Sequence, residues 1–269
     1  MPCCLHSIRI CGVVMTKVVI LCGGMGTRLR EETEYKPKPL VEIGGKPILW
    51  HIMKHYAHYG FRDFILCLGY KGDMIKEYFL NYKTYTGNFT LALKTGTLTL
   101  HNSADEDWTI TCVDTGENSF TGKRLKLIEP YLDADDDFMV TYGDGVSDVD
   151  LQALFSFHKT KGKLGTITGI KPVSKYGSLR VADDHTVTAF IEKPLLNDRI
   201  NGGYLVFNKK IFSHFDDHMF EFTTLPTLAG QQQLAMFQHD GFWQCMDTYR
   251  DYVHLNDLWN HEKPWKIWM

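Results

Sequence analysis

The segment Ile20-Leu21-Cys22-Gly23-Gly24-Met25-Gly26-Thr27-Arg28-Leu29, continued by Lys36-Pro37-Lys38-Pro39 and Gly45-Lys46-Pro47, carries most of the information in this chain. Val18 to Leu21 is a short apolar, β-branched run, the pattern of a buried strand. It ends at Gly23-Gly24-Met25-Gly26-Thr27, where missing Cβ atoms let the backbone turn sharply and bring several N–H groups close to a ligand. Arg28 follows at once and Lys38 ten residues later. A strand feeding a glycine turn with fixed cations beside it is a place to hold a polyphosphate. Two better-known phosphate motifs do not fit. A dinucleotide fingerprint needs a third glycine opening the helix, which this stretch lacks, and that also removes the nicotinamide oxidoreductase reading. A Walker loop needs Ser or Thr after Gly-Lys, but Gly45-Lys46 precedes Pro47 and Gly122-Lys123 precedes Arg124.

Outward from this segment, strands and helices alternate. Pro47 to Tyr59 has helical spacing of Leu49, Ile52, Met53, Tyr56 and Ala57, and Gly60 stops it. Phe64 to Leu68 predicts a second buried strand, Gly72 to Tyr82 a helix, and Phe138 to Thr141 another strand. Residues 89–114 alternate apolar and polar positions, predicting two or three strands at an antiparallel edge with Asn102 to Asp107 as the turn. Asp148 is expected to cap a helix through His158, and Asp150 to be a first-turn acid; Gly165 to Ile170 opens a run of strands to Phe207. Thr121 to Tyr131, Thr223 to Gln233 and Tyr249 to Trp259 read as helices, with Leu234 to Phe237 a strand. The alternation predicts an α/β, Rossmann-like fold: a mainly parallel central sheet covered on both faces in three layers, with an antiparallel β appendage. Ligands of such sheets sit at the carboxyl ends of the strands.

The 269 residues, 44% hydrophobic, suffice for one sizeable core, and no repeat or linker divides it. We expect a single domain over 15–269 after a non-essential extension at 1–14, whose short apolar run lacks a cleavage pattern and is interrupted by Lys17. A net charge of −3 gives no footprint for nucleic acid, and the absence of an 18-residue apolar stretch argues against a membrane span. Seven scattered cysteines without a Cys-x-x-Cys pair suit a reducing compartment, so a cytoplasmic location is expected. His51, His55 and His58 share helical spacing, but no cysteine or acid completes a zinc site; they are read as the wetter face of a helix that buries its apolar side. His214 and His218 are read alike, and Trp259, Trp265 and Trp268 as packing or a subunit contact.

The glycine turn, Thr27-Arg28-Leu29 and the Lys-Pro pairs together resemble the signature of sugar-phosphate nucleotidylyltransferases, which join a nucleoside triphosphate to a sugar 1-phosphate and release pyrophosphate. Further segments narrow the resemblance. Val41 to Met53, Val113-Asp114-Thr115-Gly116 with Ser119 and Thr121 to Leu125, Tyr142-Gly143-Asp144-Gly145, Gly241-Phe242-Trp243-Gln244 and Met246-Asp247-Thr248 resemble the glucose-1-phosphate cytidylyltransferases, from about Lys17 to the C-terminus. The resemblance implies CTP and glucose 1-phosphate as substrates, Mg²⁺ as cofactor and a homo-oligomer. UTP or dTTP, another sugar 1-phosphate, or a non-catalytic nucleotide-sugar sensor are the alternatives.

It also implies roles. Leu21, Cys22, Gly23, Gly24, Gly26, Thr27, Arg28, Lys38, Ser119, Arg124 and Gly143 would bind the nucleotide. Arg28 would take the pyrophosphate and Lys38 the α-phosphate region, with Lys36 its rival. Asp144 and Asp247 would hold the metal, although either also reads as an ordinary turn or cap aspartate. Tyr142, Glu192, Lys193, Asn201 and Gly203 would bind the sugar phosphate, the last two in a turn that by itself is a plain hairpin signal. Cytosine presents an amino donor where uracil presents an acceptor, so the site must offer an acceptor there. Departures from the family pattern are Cys22 for a common Ala, Asp240 and Cys245 where proline is common, and Thr224 in a stretch that often carries an acid.

Overall fold

The computed structural model describes residues 16–102, 106–132, 137–174 and 176–269; the expected extension at 1–14 lies outside the described residues. Its frame is a seven-stranded sheet. In chain order the strands are β1 Lys17–Leu21, β2 Asp63–Leu68, β3 Thr109–Asp114, β4 Asp137–Tyr142, β5 Gly165–Ile170, β6 Ile200–Asn208 and β7 Leu234–His239. Their spatial order is β7-β5-β6-β4-β1-β2-β3. All neighbours are parallel except β6, which runs antiparallel to both β4 and β5.

The first strand explains the three layers. Val18 and Ile20 enter one core with Leu49, Ile52, Met53 and Trp265. Val19 and Leu21 enter the other with Leu125, Ile128, Leu225 and Leu228. Successive side chains of a strand point to opposite faces, so an unbroken apolar run needs cover on both. Helices Ile48–His58 and Thr121–Leu127 supply part of that cover on opposite sides.

Several expectations change. Residues 109–114 do not join an antiparallel edge; they form β3, parallel to β2, because Trp108, Ile110 and Cys112 pack on the first core. The antiparallel appendages are two separate hairpins, Asn88–Ala92 with Thr97–His101 and Ser178–Val181 with Val187–Ile191. The first turns within residues 93–96, whereas the expected turn at 102–107 falls partly outside the described residues. Asp150, not Asp148, caps helix Leu151–Lys161, its carboxylate accepting from Ala153 N at 2.8 Å. His51 and His55 are buried rather than on a wet face: His51 Nε2 lies 2.9 Å from Ile43 O, and His55 Nε2 lies 2.8 Å from Val149 O. Burial pushes both imidazoles down to about 4, leaving neutral rings as core polar ties. Trp265 and Trp268 are buried in that core, as packing.

Candidate active site

Parallel register fixes where the chemistry collects. Leu21 lies beside Tyr142 on one side and Cys67 on the other, so the segments following β1, β2 and β4 leave the sheet together. Backbone bonds knit them: Gly143 N donates to Leu21 O at 3.1 Å, and Tyr70 N to Gly23 O at 3.3 Å. Gly26 has φ of 62°, the left-handed region open to glycine, and a Cβ there would lie 2.8 Å from Thr33 Cγ2. The chain then enters the helical turn Thr27–Leu29 that presents Arg28.

A short ladder brings in the C-terminal aspartate. Gly145–Ser147 pairs antiparallel with Trp243–Cys245, and Met246 N donates to Asp144 O at 2.8 Å. Thr248, not Asp247, caps helix Tyr249–His261 in a capping box with Asp251. Asp247 is therefore free to face Asp144. The buried Lys38 ammonium lies between them, donating to Asp144 Oδ2 at 2.6 Å and Asp247 Oδ1 at 2.8 Å. Arg28 Nη2 approaches the same Asp247 oxygen at 3.0 Å. Burial disfavours charge on Lys38, but Asp144 and then Asp247 outweigh it and hold the ammonium above its ordinary range. Burial likewise opposes ionisation of Asp247, and the Lys38 bond overrides it, keeping the carboxyl below its usual range. Lys36, the rival lysine, lies 3.8 Å from Glu42 and 4.0 Å from Glu32 and lines neither cavity at this cluster.

Two cavities adjoin at this cluster. One, about 310 Å³, is lined by the glycine turn, Leu21, Cys22, Thr27, Lys38, Ser119, Thr121, Arg124 and Gly143. The other, about 240 Å³, is lined by Asn201, Gly203, Trp243, Cys245 and Asp247. Arg28, Tyr142 and Asp144 line both. The structure thus brings the residues expected for the nucleotide, both aspartates, and Tyr142, Asn201 and Gly203 together around one place. Asn201-Gly202-Gly203 is part of β6, beside a register shift in its pairing with β5, rather than a hairpin turn. Gly203 has φ of 79°, and a Cβ there would lie 2.8 Å from Tyr142 Cδ2. Glu192 and Lys193 are exposed after strand Val187–Ile191 and line neither cavity; that hairpin stands apart from the main sheet, with the Val173–Leu195 bridge at its base.

Arg124 lines the larger cavity and also holds its wall together. Its guanidinium donates to the carbonyls of Leu68, Gly116, Gly23 and Glu117 and to Thr115 Oγ1, at 2.7–3.1 Å. It ties three loops into the cavity wall, and a Cβ on Gly23 would fall 2.1 Å from its Nη1. Thr121 and Trp243 line the cavities as well; both lie in segments that carry the family resemblance, but the resemblance gives neither a binding role.

The far end of the aspartate ladder is latched by His239, whose Nε2 lies 3.0 Å from Asp148 Oδ1. Burial disfavours the imidazolium, but the Asp148 bond outweighs it and raises the His239 pKa; against the same burial effect, the His239 bond lowers that of Asp148. A raised histidine stabilises fully below its unfolded value of about 6.5 and loses this as pH rises through the folded value. A lowered aspartate stabilises above its unfolded value of about 3.9 and loses this as pH falls through the folded value. The coupling between His239→Gln and Asp148→Asn, measured by denaturant melts, is thus expected to be largest near pH 5–6 and to fade in alkaline buffer. A coupling that grows with pH contradicts this.

A glycine-walled cavity, a smaller neighbour and a Lys–Asp–Asp cluster at their junction thus form one candidate site. The chain belongs to the nucleotidyl transferase family, whose model matches residues 17–260. It is 48% identical over 256 residues to the glucose-1-phosphate cytidylyltransferase of Salmonella typhimurium, covering 94% of this chain and 99% of that protein. It is 45% identical to the probable glucose-1-phosphate cytidylyltransferase of Bacillus subtilis, covering 94% of this chain and 100% of that one. Among solved structures, HddC from Yersinia pseudotuberculosis matches with a TM-score of 0.66 at 26% identity, over 91% of this chain and 100% of that chain.

Proposed function

We propose that this enzyme transfers the cytidylyl group of CTP to α-D-glucose 1-phosphate, giving CDP-glucose and pyrophosphate. The observation that carries this reading is the junction of the two cavities at Arg28, Tyr142 and Asp144, with Lys38 beside it. Choice of CTP and glucose 1-phosphate is supported by relatives of that name at 48% and 45% identity. A phosphate oxygen of the sugar phosphate attacks the α-phosphorus; that P–O bond forms as the bridge to the β-phosphate breaks. Both reactants are anions, so the protein's task is charge neutralisation and alignment rather than covalent chemistry. Lys38 serves the α-phosphate, Arg28 binds the departing pyrophosphate as a planar fork, and Tyr142, Asn201 and Gly203 border the sugar phosphate.

The carboxylates suit a divalent metal. Asp144 and Asp247 are hard oxygen donors that already converge on one cation, the Lys38 ammonium. Mg²⁺ held by these two residues would supply further neutralisation of the phosphates. Work as one domain over residues 15–269 in the cytoplasm is part of the same proposal: the four described cysteines are free, as a reducing compartment keeps them.

The exposed hairpins support a homo-oligomer. Phe89, Leu91, Leu98 and Leu100 share one face of the first, and Leu179, Val181, Val187 and Phe190 one face of the second, all exposed. A lone two-stranded hairpin is marginal in water, and one chain carries two such faces, so copies can cover one another. Leu91→Asp is expected to lower the molar mass measured by light scattering; an unchanged mass argues against that contact.

The activity is tested by pyrophosphate release across CTP, UTP, dTTP and GTP against several sugar 1-phosphates, with and without Mg²⁺. CTP with glucose 1-phosphate and Mg²⁺ is expected to be fastest. Preference for UTP over CTP would overturn the base assignment.

A further inference from the structure

One acidic side chain touches the walls of both cavities without lining either. Glu221 Oε1 accepts a 2.6 Å hydrogen bond from the Tyr142 hydroxyl, and Oε2 accepts one of 2.6 Å from Thr121 Oγ1. Both are at the short end for O–H donors, as expected when the acceptor is a carboxylate. Tyr142 stands in the wall common to both cavities, and Thr121 lines the larger.

Each arm is well fixed. The Tyr142 ring lies nearly parallel to Phe220, at 16° and 6.5 Å between centroids, and abuts Gly203, where any Cβ would collide. Burial and then the neighbouring Glu221 push the Tyr142 hydroxyl well above the phenol range, so it remains a donor. Together with Asn201 and Gly203, Tyr142 lines the smaller cavity. Thr121 Oγ1, while donating to Glu221, accepts from Phe220 N at 3.2 Å. Thr121 also opens the short helix that carries Arg124 to the three loops of the larger cavity. A polar path thus runs from Tyr142, in the wall of the smaller cavity, through Glu221 to Thr121 of the larger one.

We propose that Glu221 is a positioning residue that couples the two cavities, fixing Tyr142 and Thr121 against one another so that filling one site orders the wall of the other. This rests on the reading of the cavities as the CTP and glucose 1-phosphate sites. The coupling appears as mutual enhancement of binding, which by linkage must be the same factor seen from either ligand.

The test uses cytidine 5′-[α,β-methylene]triphosphate, which cannot react, with Mg²⁺ and calorimetry in the presence and absence of saturating glucose 1-phosphate. In the unmodified enzyme the sugar phosphate is expected to tighten analogue binding by about tenfold, within the usual range for coupled sites. Glu221→Ala is expected to abolish that enhancement while its Kd for the analogue alone stays near the unmodified value. Tyr142→Phe, which keeps the ring and removes only the hydroxyl, is expected to lose the enhancement too. The double variant is expected to lose no more than either single one. Enhancement that survives in either single variant, or that is absent from the unmodified enzyme although both ligands bind, overturns the coupling. Failure of the unmodified enzyme to bind either ligand overturns the substrate reading itself, and the coupling with it.

Discussion

Lys38→Ala is expected to lower kcat/KM by about 10²–10³-fold, the loss typical of one preorganised charge at the reacting centre. The native ammonium is buried and bonded to Asp144 and Asp247, so its charge is already placed where phosphate charge arrives. Arginine is not a conservative replacement, since a planar fork does not fit a point between two carboxylates. The thermal midpoint of the variant, followed by circular dichroism, separates lost chemistry from lost folding. Removing Lys38 leaves two carboxylates facing each other with Arg28 as the remaining cation on Asp247, so modest destabilisation is expected as well. Turnover within a few-fold of the unmodified enzyme would remove Lys38 from the reaction centre.

Asp144→Asn is expected to cost roughly a thousandfold in turnover, about 4 kcal/mol of barrier, with little change in shape. Asparagine keeps the volume and loses the charge on which both Lys38 and a bound cation depend. The same variant is expected to bind Mn²⁺ more weakly when free and bound metal are counted by electron paramagnetic resonance. This second readout does not pass through turnover. Unchanged Mn²⁺ binding would place the metal elsewhere, whatever happened to the rate.

The features legible from the chain alone were those encoded locally. Val18–Leu21 followed by Gly23-Gly24 announces a strand and a phosphate-sized turn because both signals are adjacent in sequence. Parallel pairing then places Gly143-Asp144 beside it, as the rule for strand carboxyl ends requires. The partnership of Asp247 with Asp144 came only through family resemblance; in the structure it is made by a three-residue ladder between distant segments.

What was misread depended on tertiary context. His51 and His55 look like wet-face residues until Ile43 O and Val149 O supply partners in the core. Asn201-Gly202-Gly203 carries a hairpin composition, yet it lies in a strand, where the missing Cβ of Gly203 makes room for Tyr142. Nothing local marks Arg124 as a tie between loops, or Glu221, which meets Tyr142 across 79 residues of sequence. Glu192 and Lys193 are a separate case: they lie on an exposed hairpin outside both cavities, and their part toward the sugar phosphate still rests on the motif.

The central claim is that the two substrates lie side by side across Arg28, Tyr142 and Asp144 and react with each other directly. The stereochemical course at phosphorus tests it: CTP carrying sulfur at the α-phosphate in one configuration is converted with glucose 1-phosphate, and the product configuration is read by ³¹P nuclear magnetic resonance. A single in-line displacement predicts inversion. Retention would mean that a protein group takes the cytidylyl unit first, and would contradict the account.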